Sequence, residues 1–193
     1  MAIYYGTLGN DFWQLSIDTP LAYGRTGNDT LYGSDGSEDT LYGNRGNDTL
    51  FGNDGDDSLF GGYGSDTLYG GAGADELYGG AGNDYLIGYG GGTNPEFDFD
   101  TLEGGTGADT FVLGEGFAFY TSPATDEFAR IVDFSRAEGD KIQVFGSISD
   151  YSLELGIFGE TQISYQGNLI GVVENVTNLS LQLDFTFTGF NFV

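Results

Sequence analysis

Aspartate is the residue type whose spacing stands out in this chain. Asp29, Asp39, Asp48, Asp57, Asp66, Asp75, Asp84, Asp100 and Asp109 follow one another at nine-residue steps, interrupted by one step of ten and one of sixteen. Asp11 sits upstream in the same local setting. Carboxylates act as acids and bases in catalysis, bind hard cations or solvate a surface, and the rest of the composition narrows the choice. The chain has no His and no Cys, so Ser-His-Asp, Cys-His and zinc-hydrolase constellations cannot be assembled. Thiolate and imidazole metal ligands are missing for the same reason, which leaves oxygen donors and hard cations. A carboxylate pair for glycoside hydrolysis needs a Glu in apolar surroundings that raise its pKa, and none stands out. The Gly-rich turns lack the Lys-Ser/Thr of a phosphate loop. No catalytic residue is assigned, and the chain is read as a non-enzyme.

Each aspartate belongs to a unit. From Gly24 the chain reads GRTGNDTLY, GSDGSEDTLY, GNRGNDTLF, GNDGDDSLF, GGYGSDTLY, GGAGADELY and GGAGNDYLI; a longer unit from Gly88 to Glu103 carries the insertion GGTNPEFDF, and GGTGADTFV closes the array at Val112. Gly6 to Gln14 fits the pattern in register, with a degenerate nonapeptide after it. Position six is the aspartate and position eight a large apolar residue, from Leu31 to Phe111. Gly at positions one and four permits positive φ and close backbone approach, as a tight turn requires. These are Gly24 and Gly27, Gly33 and Gly36, Gly43 and Gly46, Gly52 and Gly55, Gly61 and Gly64, Gly70 and Gly73, Gly79 and Gly82, and Gly104 and Gly107. The unit therefore divides into six turn residues and three strand residues, with position eight facing inward and seven and nine outward.

A three-residue strand cannot bury its leucine alone, whereas stacked units can. Two nonapeptides make one coil with a strand on each side, and successive coils pair into two parallel sheets around a common leucine column. Stacking brings each aspartate to roughly the ~4.8 Å strand spacing from the equivalent turn of the next coil. Two charges at that distance repel by on the order of 3 kcal/mol at an effective dielectric of ~20. Ca²⁺ relieves this, because it accepts six to eight oxygen ligands and mixes carboxylates with the carbonyls of Gly-rich turns; Mg²⁺ demands stricter geometry. Pairing alternate units predicts roughly seven or eight ions between turns i and i+2.

The overall charge agrees. Five Lys+Arg against 30 Asp+Glu give −25, a surplus that opposes compaction until cations neutralise it. With 39% hydrophobic and 16% aromatic residues the chain is no solvated acidic tail. No nucleic-acid partner is expected, and anionic membranes are poor partners, for want of clustered Lys/Arg. There is no basic, apolar leader at the N-terminus and no run of ~18 apolar residues, so neither a cleaved signal nor a membrane span is expected.

Gly24 to Val112 resembles the repeats-in-toxin, or haemolysin-type, calcium-binding family, whose signature G-G-x-G-x-D-x-U-x these units repeat; Gly6 to Gln14 resembles it more weakly. The resemblance implies an all-β, right-handed parallel β-roll (a β-solenoid) that folds only with Ca²⁺ and is exported unfolded by type I secretion machinery through an uncleaved C-terminal signal. It departs from the family pattern at position two, in the ten-residue unit and in the Gly88 to Glu103 unit.

Position nine supplies aromatic stripes, Tyr32, Tyr42, Phe51, Phe60, Tyr69 and Tyr78. Cross-strand stacking accounts for them, and a polysaccharide, a matrix surface or self-association is the alternative use. After Val112 the nonapeptide period stops. Arg130 to Phe134, Lys141 to Phe145, Thr161 to Tyr165, Leu169 to Val173 and Leu181 to Phe185 alternate as strands, the cap that an open coil needs. Asp133 and Asp140, in a stretch that looks like the family's capping motif, are candidates for one further Ca²⁺, with a plain hairpin as the alternative. The apolar end from Asp184 to Val193 is similar to type I export signals. The expected division is 1–23 for degenerate N-terminal repeats, 24–112 for the calcium-binding roll and 113–193 for a β cap with the secretion signal. The chain is expected to be secreted and to stand alone, the alternatives being an adhesive surface protein or an accessory module of a larger secreted enzyme.

Overall fold

The computed structural model describes residues 3–16, 20–89, 99–114 and 128–188. The insertion before Asp100 and the last five residues, Gly189 to Val193, on which part of the export-signal expectation rests, lie largely or wholly outside these.

The roll begins with β1 (Tyr4–Tyr5), β2 (Phe12–Gln14), β3 (Leu21–Thr26) and β4 (Thr30–Tyr32). It continues through β5 (Thr40–Arg45), β6 (Thr49–Asp54), β7 (Ser58–Tyr63), β8 (Thr67–Ala72), β9 (Glu76–Ala81) and β10 (Tyr85–Tyr89). After the insertion come β11 (Thr101–Thr106) and β12 (Thr110–Val112). The C-terminal region adds β13 (Ala129–Ile131), β14 (Lys141–Phe145), β15 (Tyr151–Leu155), β16 (Thr161–Tyr165), β17 (Asn168–Val173) and β18 (Phe185–Thr188).

Strands alternate between two sheets, one ordered β1-β3-β5-β7-β9-β11-β13-β17-β16-β15 and the other β18-β14-β12-β10-β8-β6-β4-β2. Every pairing within the repeats is parallel, and the register joins each unit to the next but one. Leu31 lies opposite Leu50, Leu50 opposite Leu68 and Leu68 opposite Leu86, while Leu41, Leu59, Leu77 and Leu102 form the facing column. All of these leucines are buried. The fold is therefore the parallel β-roll that the leucine period implies.

Two features differ from the expectation. The repeat strands are mostly six residues long, because positions one to three stay paired with the neighbouring coil past position nine, as in Asn44 opposite Gly62 and Arg45 opposite Tyr63. The bend begins within this stretch, since position two takes positive φ, as at Asn44 (77°) and Gly62 (116°), and only positions four to six leave the ladder. Stacking also does not stop at Val112. β13 pairs parallel with β11, β14 with β12 and β18 with β14, so Ile131, Ile142 and Phe185 extend the two apolar columns. Only β15 and β16 add antiparallel strands. β15 was not expected, and Leu181 to Asp184 form a turn that leads into β18.

The outward aromatic rungs stack face to face. Tyr23 to Tyr42, Tyr42 to Phe60 and Phe60 to Tyr78 have ring centroids 4.8, 4.7 and 4.8 Å apart on one sheet, and Tyr32 to Phe51 and Phe51 to Tyr69 are 4.5 and 4.6 Å apart on the other. The first coil is less covered. Trp13, at an inward position, is 44% exposed and stacks on Tyr4.

Candidate metal centres

The turns line two edges of the roll. Edge I joins the first sheet to the second and carries Asp11, Asp29, Asp48, Asp66, Asp84, Asp109 and Asp140. Edge II makes the return and carries Asp39, Asp57, Asp75 and Asp100. From Asp29 to Asp109 these side chains are no more than 2% exposed, although each begins a strand at the margin of the molecule.

A hydrogen-bond rail fixes them. On edge I the amide of Asp11 donates to Asp29 Oδ1, Asp29 to Asp48, Asp48 to Asp66, Asp66 to Asp84, Asp84 to Asp109 and Asp109 to Asp140, at 2.7–2.9 Å. On edge II Asp39 donates to Asp57, Asp57 to Asp75 and Asp75 to Asp100, at 2.7–3.0 Å. Each accepting carboxylate thus reaches back to the preceding coil with Oδ1. In Asp29, Asp48, Asp57, Asp66, Asp84 and Asp109 the other oxygen, Oδ2, is buried without a hydrogen-bond partner; in Asp39, preceded on its edge by Pro20, the pattern is reversed, with Oδ1 unpartnered and Oδ2 accepting from the Ser34 amide and hydroxyl. A buried orphaned carboxylate oxygen is costly, and a regular row of them calls for a ligand that repeats with the fold.

The glycines make room at that oxygen. A Cβ built on Gly24 would lie 2.3 Å from Asp29 Oδ2, and one on Gly61 would lie 2.5 Å from Asp66 Oδ2 and 2.6 Å from the carbonyl oxygen of Gly79. Gly43, Gly52, Gly70, Gly79 and Gly104 stand in the same relation to Asp48, Asp57, Asp75, Asp84 and Asp109. At position four the backbone takes positive φ, as at Gly46 (129°) and Gly64 (131°), and a Cβ on Gly64 would overlap the carbonyl of Gly46 one coil earlier. Gly27, Gly55, Gly73, Gly82 and Gly107 also have positive φ. Gly33 approaches both Asp39 and the Gly52 carbonyl, whereas a Cβ on Gly36 meets nothing, because the extra residue of this turn brings Ser37 against Gly55.

Burial raises the carboxyls. Asp48, Asp57 and Asp84 are pushed up to about 7 and Asp66 and Asp109 to about 6, first by loss of water, with the rail amides pulling the other way and neighbouring aspartates adding repulsion to most of them. Asp29 and Asp140 are raised for the same leading reason.

This arrangement fits Ca²⁺. The donors are hard oxygens, they come in pairs from consecutive turns, and the small residues beside them leave backbone carbonyls within reach. Among the described residues no three acidic side chains converge as a ready-made cluster, so a site here needs carbonyls to complete two carboxylates. An ion held by these carboxylates and carbonyls would supply the positive charge that the orphaned oxygens lack.

The two capping aspartates take separate places. Asp140 joins edge I, with Oδ1 on the Asp109 amide and Oδ2 on the Ser135 amide. Asp133 instead accepts the amides of Gly104 (3.0 Å) and Gly105 (2.7 Å), so its carboxylate closes a backbone turn. Sequence reasoning passed over Gly88, whose Cβ would lie 2.2 Å from Asp100 Oδ2, and Gly6, which stands beside Asp11; their position at the head of a unit was the available signal. It also passed over the position-five residues Asn28, Asn47 and Asn83, which a comparison of alternate units picks out.

Coiled Gly-Asp turns stacked on two edges of a leucine-filled pair of parallel sheets define a repeat protein of the β-roll class. A family model of the RTX calcium-binding nonapeptide repeat matches residues 21–38, 37–68, 60–92 and 97–117. Through that region the chain carries the calcium-binding nonapeptide repeat of the repeats-in-toxin family, and it is a calcium-binding β-roll protein. A search of curated proteins found no match. Among the described residues no helix is long and apolar enough to cross a membrane.

Proposed function

We propose that this protein is an extracellular, calcium-folded β-roll with a structural or interaction role, secreted by a type I route and without catalytic activity. The observation that carries this reading is the row of buried carboxylate oxygens with no hydrogen-bond partner along edge I, from Asp29 to Asp109, joined on edge II by Asp39 and Asp57. The stack is complete in its apolar core and its backbone pairing, yet it gathers aspartates that repel one another at each edge. At neutral pH such a fold is stable only when cations occupy the edges, so binding free energy becomes folding free energy. Low cytosolic calcium keeps the chain open for export, and millimolar calcium outside closes it. Consecutive aspartates form six adjacent pairs on edge I and three on edge II, so the roll has room for about nine ions, close to the seven or eight expected from unit counting.

The aromatic ladders belong to the scaffold. Interplanar angles of 3–10° in the central rungs turn the ring faces toward one another and present edges to solvent. A polysaccharide that stacks on ring faces gains little there.

Far-UV circular dichroism during a calcium titration tests the proposal. Strand signal should be lost in excess chelator and return cooperatively as Ca²⁺ is added. A roll already formed in chelator at neutral pH would overturn it.

A further inference from the structure

The two edges are built differently. On edge I a second rail runs beside the aspartates and in the opposite sense. The amide of Asn28 donates to Asn10 Oδ1 (2.8 Å), Asn47 to Asn28 Oδ1 (2.9 Å), Ser65 to Asn47 Oδ1 (3.0 Å), Asn83 to Ser65 Oγ (3.4 Å) and Ala108 to Asn83 Oδ1 (2.9 Å). Each position-five amide is therefore tied to the coil before it, while each aspartate amide is tied to the coil after it. On edge II the described residues show one such rung, Ala74 to Asp56 Oδ1 at 2.9 Å, and one tie of another kind, Asn53 Nδ2 donating to the Gly33 carbonyl at 2.7 Å.

Regularity and charge differ in the same direction. Edge I is a continuous run of Asp11 to Asp109 on nine-residue units, extended by Asp140. Edge II is bracketed by residues without carboxylates: the register of Leu21 with Thr40 and of Thr101 with Arg130 places Pro20 before Asp39 and Ala129 after Asp100. It also contains the ten-residue turn from Gly33 and the insertion that precedes Asp100. Its turns expose Asp35, Glu38, Asp54 and Asp56, whereas the edge I turns up to Asp109 carry Arg25 and Arg45 and only the capping turn adds Asp133 and Glu138, with Arg136 beside them.

Resting on the calcium-folded reading above, we infer that the edges load in order: edge I takes calcium first and stacks the coils, and edge II fills afterwards on a roll already formed. The physical reason is preorganisation. Neutral asparagine rungs hold successive edge I turns together without help from the ion, so less ordering remains for binding to supply. Edge II must close longer turns against a denser set of like charges. Those exposed acids also attract Ca²⁺ from a distance, but salt screens that attraction within about 8 Å at physiological ionic strength, while the rungs of edge I are indifferent to it.

Calorimetric titration of the full chain with Ca²⁺, run beside circular dichroism, tests the order. Two phases are expected. The first carries the larger number of ions and the whole gain in strand signal. The second adds ions without further change in strand and shifts with added salt. Asp57→Asn, on edge II, should remove ions from the second phase and move the folding midpoint less than Asp66→Asn, on edge I. Asn47→Ala takes away a rung and no carboxylate, and it should raise the folding midpoint several-fold. An Asp57→Asn midpoint shifted as far as that of Asp66→Asn, or an Asn47→Ala chain that folds at the wild-type calcium concentration, overturns the inference. A wild-type chain that binds no calcium would instead remove the reading beneath it.

Discussion

Arg136 grips Asp184 along one edge of its guanidinium: Nε donates to Oδ1 at 2.6 Å and a terminal NH2 group donates to Oδ2. Asp184 is fully buried and immediately precedes β18, the last strand of its sheet. Arg136 lies in the same final turn as Asp140, the last carboxylate of edge I. Beyond the last edge I aspartate, the chain thus provides its own cation. Burial alone would raise Asp184, but the guanidinium and the Ser180 amide outweigh it and hold the carboxyl below its usual value.

Arg136→Met should accordingly lower the urea midpoint of the calcium-loaded protein, since it leaves the buried Asp184 carboxylate unpaired, with solvent screening at the exposed arginine moderating the loss. Urea unfolding in saturating Ca²⁺ measures this. Combining it with Asp184→Asn should recover part of the loss, and the contribution of the pair should persist at pH 5 and fade only as the pH drops below about 4.

The raised carboxyls predict how the metal-free chain responds to pH. A carboxyl with a folded pKa above its unfolded value holds its proton more tightly in the roll than in the open chain. Stability of the metal-free roll is then full below the unfolded value near 4 and is lost as the pH rises through the folded values. Those values are about 7 for Asp48, Asp57 and Asp84 and about 6 for Asp66 and Asp109. In chelator, strand signal should therefore be greater at pH 5 than at pH 8. Equal signal at both values would contradict the burial of these groups.

Glycine at position one should matter through space alone. Gly61→Ala places a methyl group against Asp66 Oδ2 and the Gly79 carbonyl, and should cost about 2 kcal/mol and weaken calcium binding on edge I. Gly36→Ala meets no neighbour, although its φ of 76° is strained for alanine; it should cost about 1 kcal/mol and leave calcium stoichiometry unchanged. Calcium titration of the two variants side by side reads the difference.

In the leucine column, Leu59→Ala should cost about 2–5 kcal/mol, because both neighbours along the column, Leu41 and Leu77, are held by backbone pairing and cannot collapse into the space. Leu8→Ala, at a residue 73% exposed in the first coil, should change stability by less than about 0.5 kcal/mol. Denaturation in saturating calcium compares them.

Much of this architecture follows from the order of residues alone. A nine-residue period places Leu68 inward and Thr67 and Tyr69 outward because neighbouring side chains in a strand alternate, and it sets Asp66 in every turn at the same height. Those are local consequences of backbone geometry and repeat. What only the tertiary structure decided depends on contacts between distant parts of the chain. Asp109 meets Asp140 across 31 residues, Asp133 folds back on Gly104 and Gly105, and Arg136 finds Asp184 across 48. No period links these residues, so their pairing is set by the order in which coils stack once the intervening segments are looped out. The difference between the two edges arises in the same way: the sequence lists its turns in a single file, and folding deals them alternately to opposite sides, which puts the position-five asparagines on one edge and most of the extra acids on the other.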